Sequence, residues 1–120
     1  MPRDYRKLQV FQKADDLVVA VYRATSKFPK NEMFGLTSQL RRAIVSVPAN
    51  IAEGSARHTE AEFLNFLNIA YGSLTEASYY IDLSRRLGYL SEEGHEMLHS
   101  QYEETSRMLN GLMKSIRSKS

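Results

Sequence analysis

Residues 63–81 hold Phe63, Leu67, Ala70, Leu74, Ala77 and Ile81 at strict spacings of three and four. That period matches the 3.6 residues of an α-helical turn and puts all six side chains on one face. Nothing else in the chain constrains the fold as strongly. Three other segments repeat the pattern. Phe11, Ala14, Val18, Val21 and Thr25 do so within Leu8–Ser26. Leu36, Leu40, Ile44, Val47 and Ile51 follow in a helix that starts between Asn31 and Thr37 and ends near Gly54. Leu98, Tyr102, Thr105, Leu109, Leu112 and Ile116 form the last stripe. No segment of useful length alternates with period two, so no strand is predicted.

Punctuation agrees with this division. Pro29 ends the first helix by excluding its predecessor from the α region. Asn31 is a fair N-cap for the second, with Gly35 in the next turn. Thr59 and Glu62 fit a Thr-x-x-Glu capping box ahead of the third helix, and Gly88 suits the position just beyond its end. Ser91, followed by Glu92 and Glu93, opens the fourth, where the helix dipole favours acidic side chains. Four amphipathic helices joined by short connections predict an all-α protein, a single domain over residues 1–120 built as an antiparallel up-down-up-down four-helix bundle.

The second helix carries an anomaly, "IVSVPANIAEG" at 44–54. Pro48 removes the donor to the Ile44 carbonyl and crowds it, which predicts a kink near Pro48. The kink reads either as a helix bending round its core or as a surface shaped for a partner. On a helical wheel with Arg42 at zero, Ser46, Asn50 and Glu53 fall within about 80° of it. Val45, Pro48 and Ala52 form a second apolar sector away from the core stripe. A helix apolar on two sides calls for cover on two sides, most simply from a second copy of the chain. The polar stripe of Arg42, Ser46, Asn50 and Glu53 reads as a ligand contact or as a half-buried network with Glu76 of the third helix. An Arg–carboxylate pair would satisfy such a network.

Composition removes several functional classes. With no cysteine among 120 residues, disulfides, thiolate metal sites and cysteine nucleophiles are excluded. No apolar run reaches the length of a membrane span, and the first residues, "MPRDYRKLQVFQK", lack the apolar core of a signal peptide. A cytoplasmic protein without membrane partners is expected. Phosphate-loop and G-x-S-x-G motifs are absent. "HEMLH" at 95–99 matches H-E-x-x-H, in which two histidines on one helical face bind zinc and the glutamate acts as base. His58 is the remaining histidine, no helix follows to deliver a third ligand, and no sheet frames a cleft. The sequence therefore predicts no metal, no cofactor and no catalysis by His95, Glu96 and His99.

Charge is unevenly spread. Residues 1–7 set three basic groups against one acidic group, for +2, and residues 114–120 hold three basic groups, for +3. The overall charge of +2 thus leaves −3 on residues 8–113. In an up-down-up-down bundle the start of the first helix, the second turn and the end of the fourth helix share one end. Arg3, Arg6, Lys7, Arg57, Lys114, Arg117 and Lys119 are expected to converge there. Such a patch binds phosphate backbones through counterion release, although basic termini also serve as solvated tails.

"FP" at 28–29, "GLTSQLRRAIVSVPANIAEG" at 35–54 and "FLNIAYGSLTEA" at 66–77 resemble the bacterial four-helix bundle proteins related to those encoded in ribosomal RNA intervening sequences. The resemblance covers nearly the whole chain. It implies a four-helix protomer assembled as a homopentameric barrel. The accessory variability protein of diversity-generating retroelements, which works beside a reverse transcriptase and binds nucleic acid, is similar to these proteins. The combined expectation is a non-enzymatic oligomeric scaffold with structured RNA or an RNA–protein complex as partner. The alternative is an oligomer that binds partner proteins only.

Overall fold

A computed structural model describes residues 2–119. Its helices are α1 (Gln9–Thr25), α2 (Leu36–Ser55), α3 (Glu60–Arg86) and α4 (Glu92–Ser118), with single 3₁₀ turns at Tyr5–Lys7 and Lys30–Glu32. Among the described residues there is no strand. The molecule measures 45 × 23 × 20 Å, and a 27-residue helix such as α3 spans about 40 Å. Connections this short cannot cross that length, so each helix turns back along the one before it. Hydrogen bonds agree: the Arg41 side chain of α2 reaches Thr25 at the end of α1, and the Arg3 backbone amide donates to the Ser55 carbonyl at the end of α2.

The ends follow from local chemistry. The Glu62 amide donates to Thr59 Oγ1 at 3.1 Å, and the Thr59 hydroxyl donates to the Glu62 carboxylate. Gly88, at φ 81°, closes α3. Its amide donates to the Arg85 carbonyl and that of Tyr89 to the Ser84 carbonyl, the two bonds of a Schellman motif. The Gly94 amide donates to Ser91 Oγ at the head of α4. α2 begins differently from expectation. The Leu36 amide donates to the carboxylate of Glu32 at 3.1 Å, and Gly35 occupies the capping position. Asn31 lies in the preceding 3₁₀ turn. A carboxylate four residues upstream reaches the orphan amide that Asn31, held within its own turn, does not.

The stripes of α2 and α3 are buried as predicted. In α1 the buried set is Val10, Ala14, Leu17, Val21 and Thr25, while Phe11 and Val18 are half-buried. Two adjacent rows of α1 are apolar, and the ring of Phe11 is drawn aside to pack edge-on against Tyr5 at 4.7 Å. In α4, Met113 is buried and Leu112 half-buried, and Tyr102 lies at the edge of the core. Full burial of each Leu, Ile or Phe contributes about 1.5–3 kcal/mol. Thr25, Ser84 and Thr105, buried among these side chains, each donate to the carbonyl four residues back, so no hydroxyl of theirs goes unpaired. α2 runs through Pro48 as a continuous α-helix, and the proline is buried within the protomer. The second apolar sector is thus partly covered already, while Val45 remains exposed.

Candidate nucleic-acid interface

The basic end is assembled around Arg3. Its guanidinium forks onto Glu60 at the head of α3, with Nη1–Oε1 at 2.6 Å and Nη2–Oε2 at 2.8 Å, and lies over the Phe63 ring at 4.7 Å. These donors hold the Glu60 carboxyl below its ordinary range, helped by the charge of Lys119 at the end of α4. The chain start, the α2–α3 turn and the end of α4 therefore meet at one end of the bundle.

The seven basic residues are not equivalent there. Besides the Arg3–Glu60 fork, Arg57 donates to Glu53 at 3.0 Å and lies over Phe66. Arg6 pairs with Asp4 at 3.5 Å and lies over Tyr5. Lys7, Lys114, Arg117 and Lys119 are exposed, and the three lysines make no close ion pair among the described residues. The sequence does not single out Glu60 or Phe66 as site residues, and it reads Phe63 only as a core residue of α3. Glu60 stands in a first helical turn, where an acidic side chain is explained by the helix dipole alone, and this concealed its pairing with Arg3.

The polar stripe of α2 resolves into local pairs within the protomer. Asn50 Nδ2 donates to the carbonyl and hydroxyl of Ser46 at 2.8 and 2.9 Å. Ser46 Oγ meets Ser73 Oγ of α3 at 2.9 Å. Arg42 donates to Gln39, Glu53 accepts from Arg57, and Glu76 accepts from the Tyr80 hydroxyl at 2.8 Å, which raises the tyrosine pKa. Arg42 and Glu76 share the wall of an open recess of about 200 Å³ with Ser46 and Ser73, but each finds its hydrogen-bond partner on its own helix.

At the opposite end, the "HEMLH" motif occupies the first turns of α4. His95 Nε2 lies 2.7 Å from Asp82 Oδ1 of α3. The sequence looks for a third ligand group only in a helix after His99, and among the described residues none follows α4. The preceding helix, not a following one, supplies it, because the tight turn at Gly88 folds the end of α3 against the start of α4.

No curated protein matches the sequence. Among solved structures, the fold is similar to that of a protein of unknown function from the S23 ribosomal protein family of Bacteroides thetaiotaomicron VPI-5482. The two are 26% identical with a TM-score of 0.80, over 88% of this chain and 95% of that one. Residues 6–111 match the model of the family described as 23S rRNA-intervening sequence protein. With that match over most of its length and the four-helix architecture that accompanies it, this chain belongs to the 23S rRNA-intervening sequence protein family.

Proposed function

We propose that the chain is a non-enzymatic, self-assembling scaffold that binds structured RNA, or an RNA–protein complex, through its basic end. The observation that carries this reading is the meeting of Arg3 and Lys119 around Glu60, beside the α2–α3 turn that carries Arg57, with exposed Lys7, Lys114 and Arg117 on the same termini. The three arginines that stack on aromatic rings brace the end, and exposed Lys7, Lys114 and Lys119 are left to meet phosphates. A family named for an intervening sequence of 23S rRNA fits a cytoplasmic partner of this kind. Among the described residues no helix is long and apolar enough to cross a membrane.

Self-assembly as a homopentamer rests on the family resemblance and on exposed apolar groups that one protomer leaves uncovered, including Val45, Ile69 and Tyr79. A ring of five copies would multiply the basic end fivefold. The same exposed groups favour the second reading, an oligomer that binds partner proteins while its basic end is incidental.

Fluorescence anisotropy of a labelled structured RNA at low and physiological salt separates the two. If the four exposed cations each displace a counterion, log K falls against log salt with a slope of about −3. Reversing the charge of Lys114, Arg117 and Lys119 then weakens RNA binding while light scattering reports the same oligomer. Absence of binding at low salt, or binding indifferent to these substitutions, would overturn the basic-end reading. The oligomer mass from the same light scattering tests the pentamer.

A further inference from the structure

We propose that Asp82, His95 and His99 form a site for a divalent transition-metal ion, zinc above all, that fastens the end of α3 to the start of α4. It is independent of the basic end and of RNA binding.

The three residues offer ligand atoms that all lie within 4.8 Å of one another. His95 and His99 stand one helical turn apart on the same face of α4, with rings nearly parallel at 12° and centroids 5.7 Å apart. Asp82 reaches across from the last turns of α3. Two ligands bound at about 2.0–2.1 Å in tetrahedral geometry are separated by roughly 3.3 Å. The Asp82–His95 contact at 2.7 Å therefore needs to open by only about half an ångström to admit an ion. Side-chain rotation supplies that much, since the Asp82 side chain is 55% exposed.

Ligand type selects the ion. Two imidazoles and one carboxylate suit zinc and its first-row neighbours better than calcium or magnesium, which prefer all-oxygen shells. Three protein ligands leave further positions for water, and the solvent side is open. Two groups stand beside His99. Glu103 Oε2 lies 3.6 Å from His99 Nε2, and the Tyr102 ring packs beside His99 at 5.7 Å. Glu103 stands beyond hydrogen-bond length, and a small closure lets it orient a ligating imidazole. The local charge favours a cation too. Residues 82–103 hold Asp82, Glu92, Glu93, Glu96 and Glu103 against Arg85 and Arg86 alone. Glu96 is exposed and does not belong to the cluster, so the arrangement is read as holding an ion rather than activating water for hydrolysis.

The test uses the full chain without a histidine tag, stripped with chelator and titrated with zinc chloride by calorimetry. One ion per chain is expected, together with a higher Tm in zinc. Asp82→Asn keeps the size and polarity of the side chain and removes the anionic ligand. His99→Gln removes an imidazole from a partly exposed position. Each substitution is expected to weaken zinc binding by at least about tenfold and to abolish the zinc-dependent rise in Tm, with unchanged helical circular dichroism without metal. No uptake by the parent chain would overturn the site. Uptake that survives both substitutions would place the ion elsewhere and overturn it equally.

Discussion

Arg3 and Glu60 lie 57 residues apart in the chain, yet their side chains meet in a two-pronged ion pair at 2.6 and 2.8 Å. The fork ties the segment ahead of α1 to the first turn of α3, and the Arg3 amide bond to Ser55 adds α2. Both partners keep substantial solvent access, 31% and 42% for their side chains, so water screens the attraction. Glu60→Gln is expected to lower stability by about 0.5–1 kcal/mol, read as a modest fall in Tm. The same substitution releases Arg3 from its internal partner. In the anisotropy assay it should raise affinity for RNA, opposite in direction to reversing Lys114 and Lys119. Weaker RNA binding by Glu60→Gln would show that the fork positions Arg3 for the ligand instead of withholding it.

Acid should act through two carboxylates. The Leu36 amide and the Tyr89 hydroxyl hold Glu32 below its ordinary pKa, and Arg3 does the same for Glu60. A carboxyl whose pKa is lowered by folding stabilises the fold at pH values above its unfolded pKa. That contribution is lost as pH falls through the folded value. Tm should be flat at neutral pH and fall as pH drops below about 4.5, the ordinary value for Glu. Glu32→Gln lowers Tm at pH 7 and makes the acid limb shallower. An acid limb identical in Glu32→Gln and Glu60→Gln would assign acid sensitivity to other groups. On the alkaline side, Tyr89 is held in its neutral form by the bond it donates to Glu32, which raises its pKa. Its contribution is present below the ordinary tyrosine range and is lost as pH rises through the raised value.

Two glycines should respond to alanine in opposite directions. A Cβ on Gly54 would stand 2.6 Å from the Cβ of Phe66 and 3.0 Å from Phe63 Cδ1. The Phe66 atom is fixed to the backbone of α3 and cannot swing away. The helix-propensity gain of about 1 kcal/mol for Gly→Ala is outweighed, and Gly54→Ala is expected to cost a net 1–3 kcal/mol, roughly what overpacking costs. A Cβ on Gly72, in the middle of α3, meets nothing within 4 Å. Gly72→Ala should stabilise the chain by about 0.5–1 kcal/mol. Thermal melts of the two variants test both signs. Destabilisation by Gly72→Ala would imply that a second copy packs against this exposed face of α3.

The contrast between these glycines shows where sequence reading stops. Periodicity made the four helices legible, along with Thr59, Ser91 and Gly88 at their ends, because capping is decided within a few residues. It also chose the right core rows for α2 and α3. In α1 and α4 it found Ala14, Val21, Thr25, Leu98, Thr105, Leu109 and Ile116, but not Val10, Leu17 or Met113, which compete with Phe11, Val18 and Leu112 for the inward position. Neighbouring apolar rows differ by about 100° on a wheel, and only the packing of the other three helices selects between them. Long-range pairs were hidden for a similar reason. Nothing local distinguishes Glu60 from any acidic residue in a first turn, or Asp82 from a solvated aspartate, until the turns bring them to Arg3 and His95. Glu53, conversely, was grouped with Arg42 by wheel angle but reaches Arg57 one turn onward.

Glu76 tests whether the α2 polar stripe acts between copies of the chain. Within one protomer its bond from the Tyr80 hydroxyl is exposed, so Glu76→Ala should change protomer stability by no more than about 0.5 kcal/mol. Arg42 faces the same recess and donates to Gln39. A network joining Arg42, Asn50 and Glu76 would therefore have to draw on a neighbouring copy, whose approach would also cover Val45 and exclude water from the recess. On that proposal Glu76→Ala shifts the oligomer toward smaller species in light scattering and lowers the concentration-dependent part of Tm. Unchanged oligomer size and unchanged Tm would remove the network, leaving the exposed apolar groups as the sole support for assembly through this face.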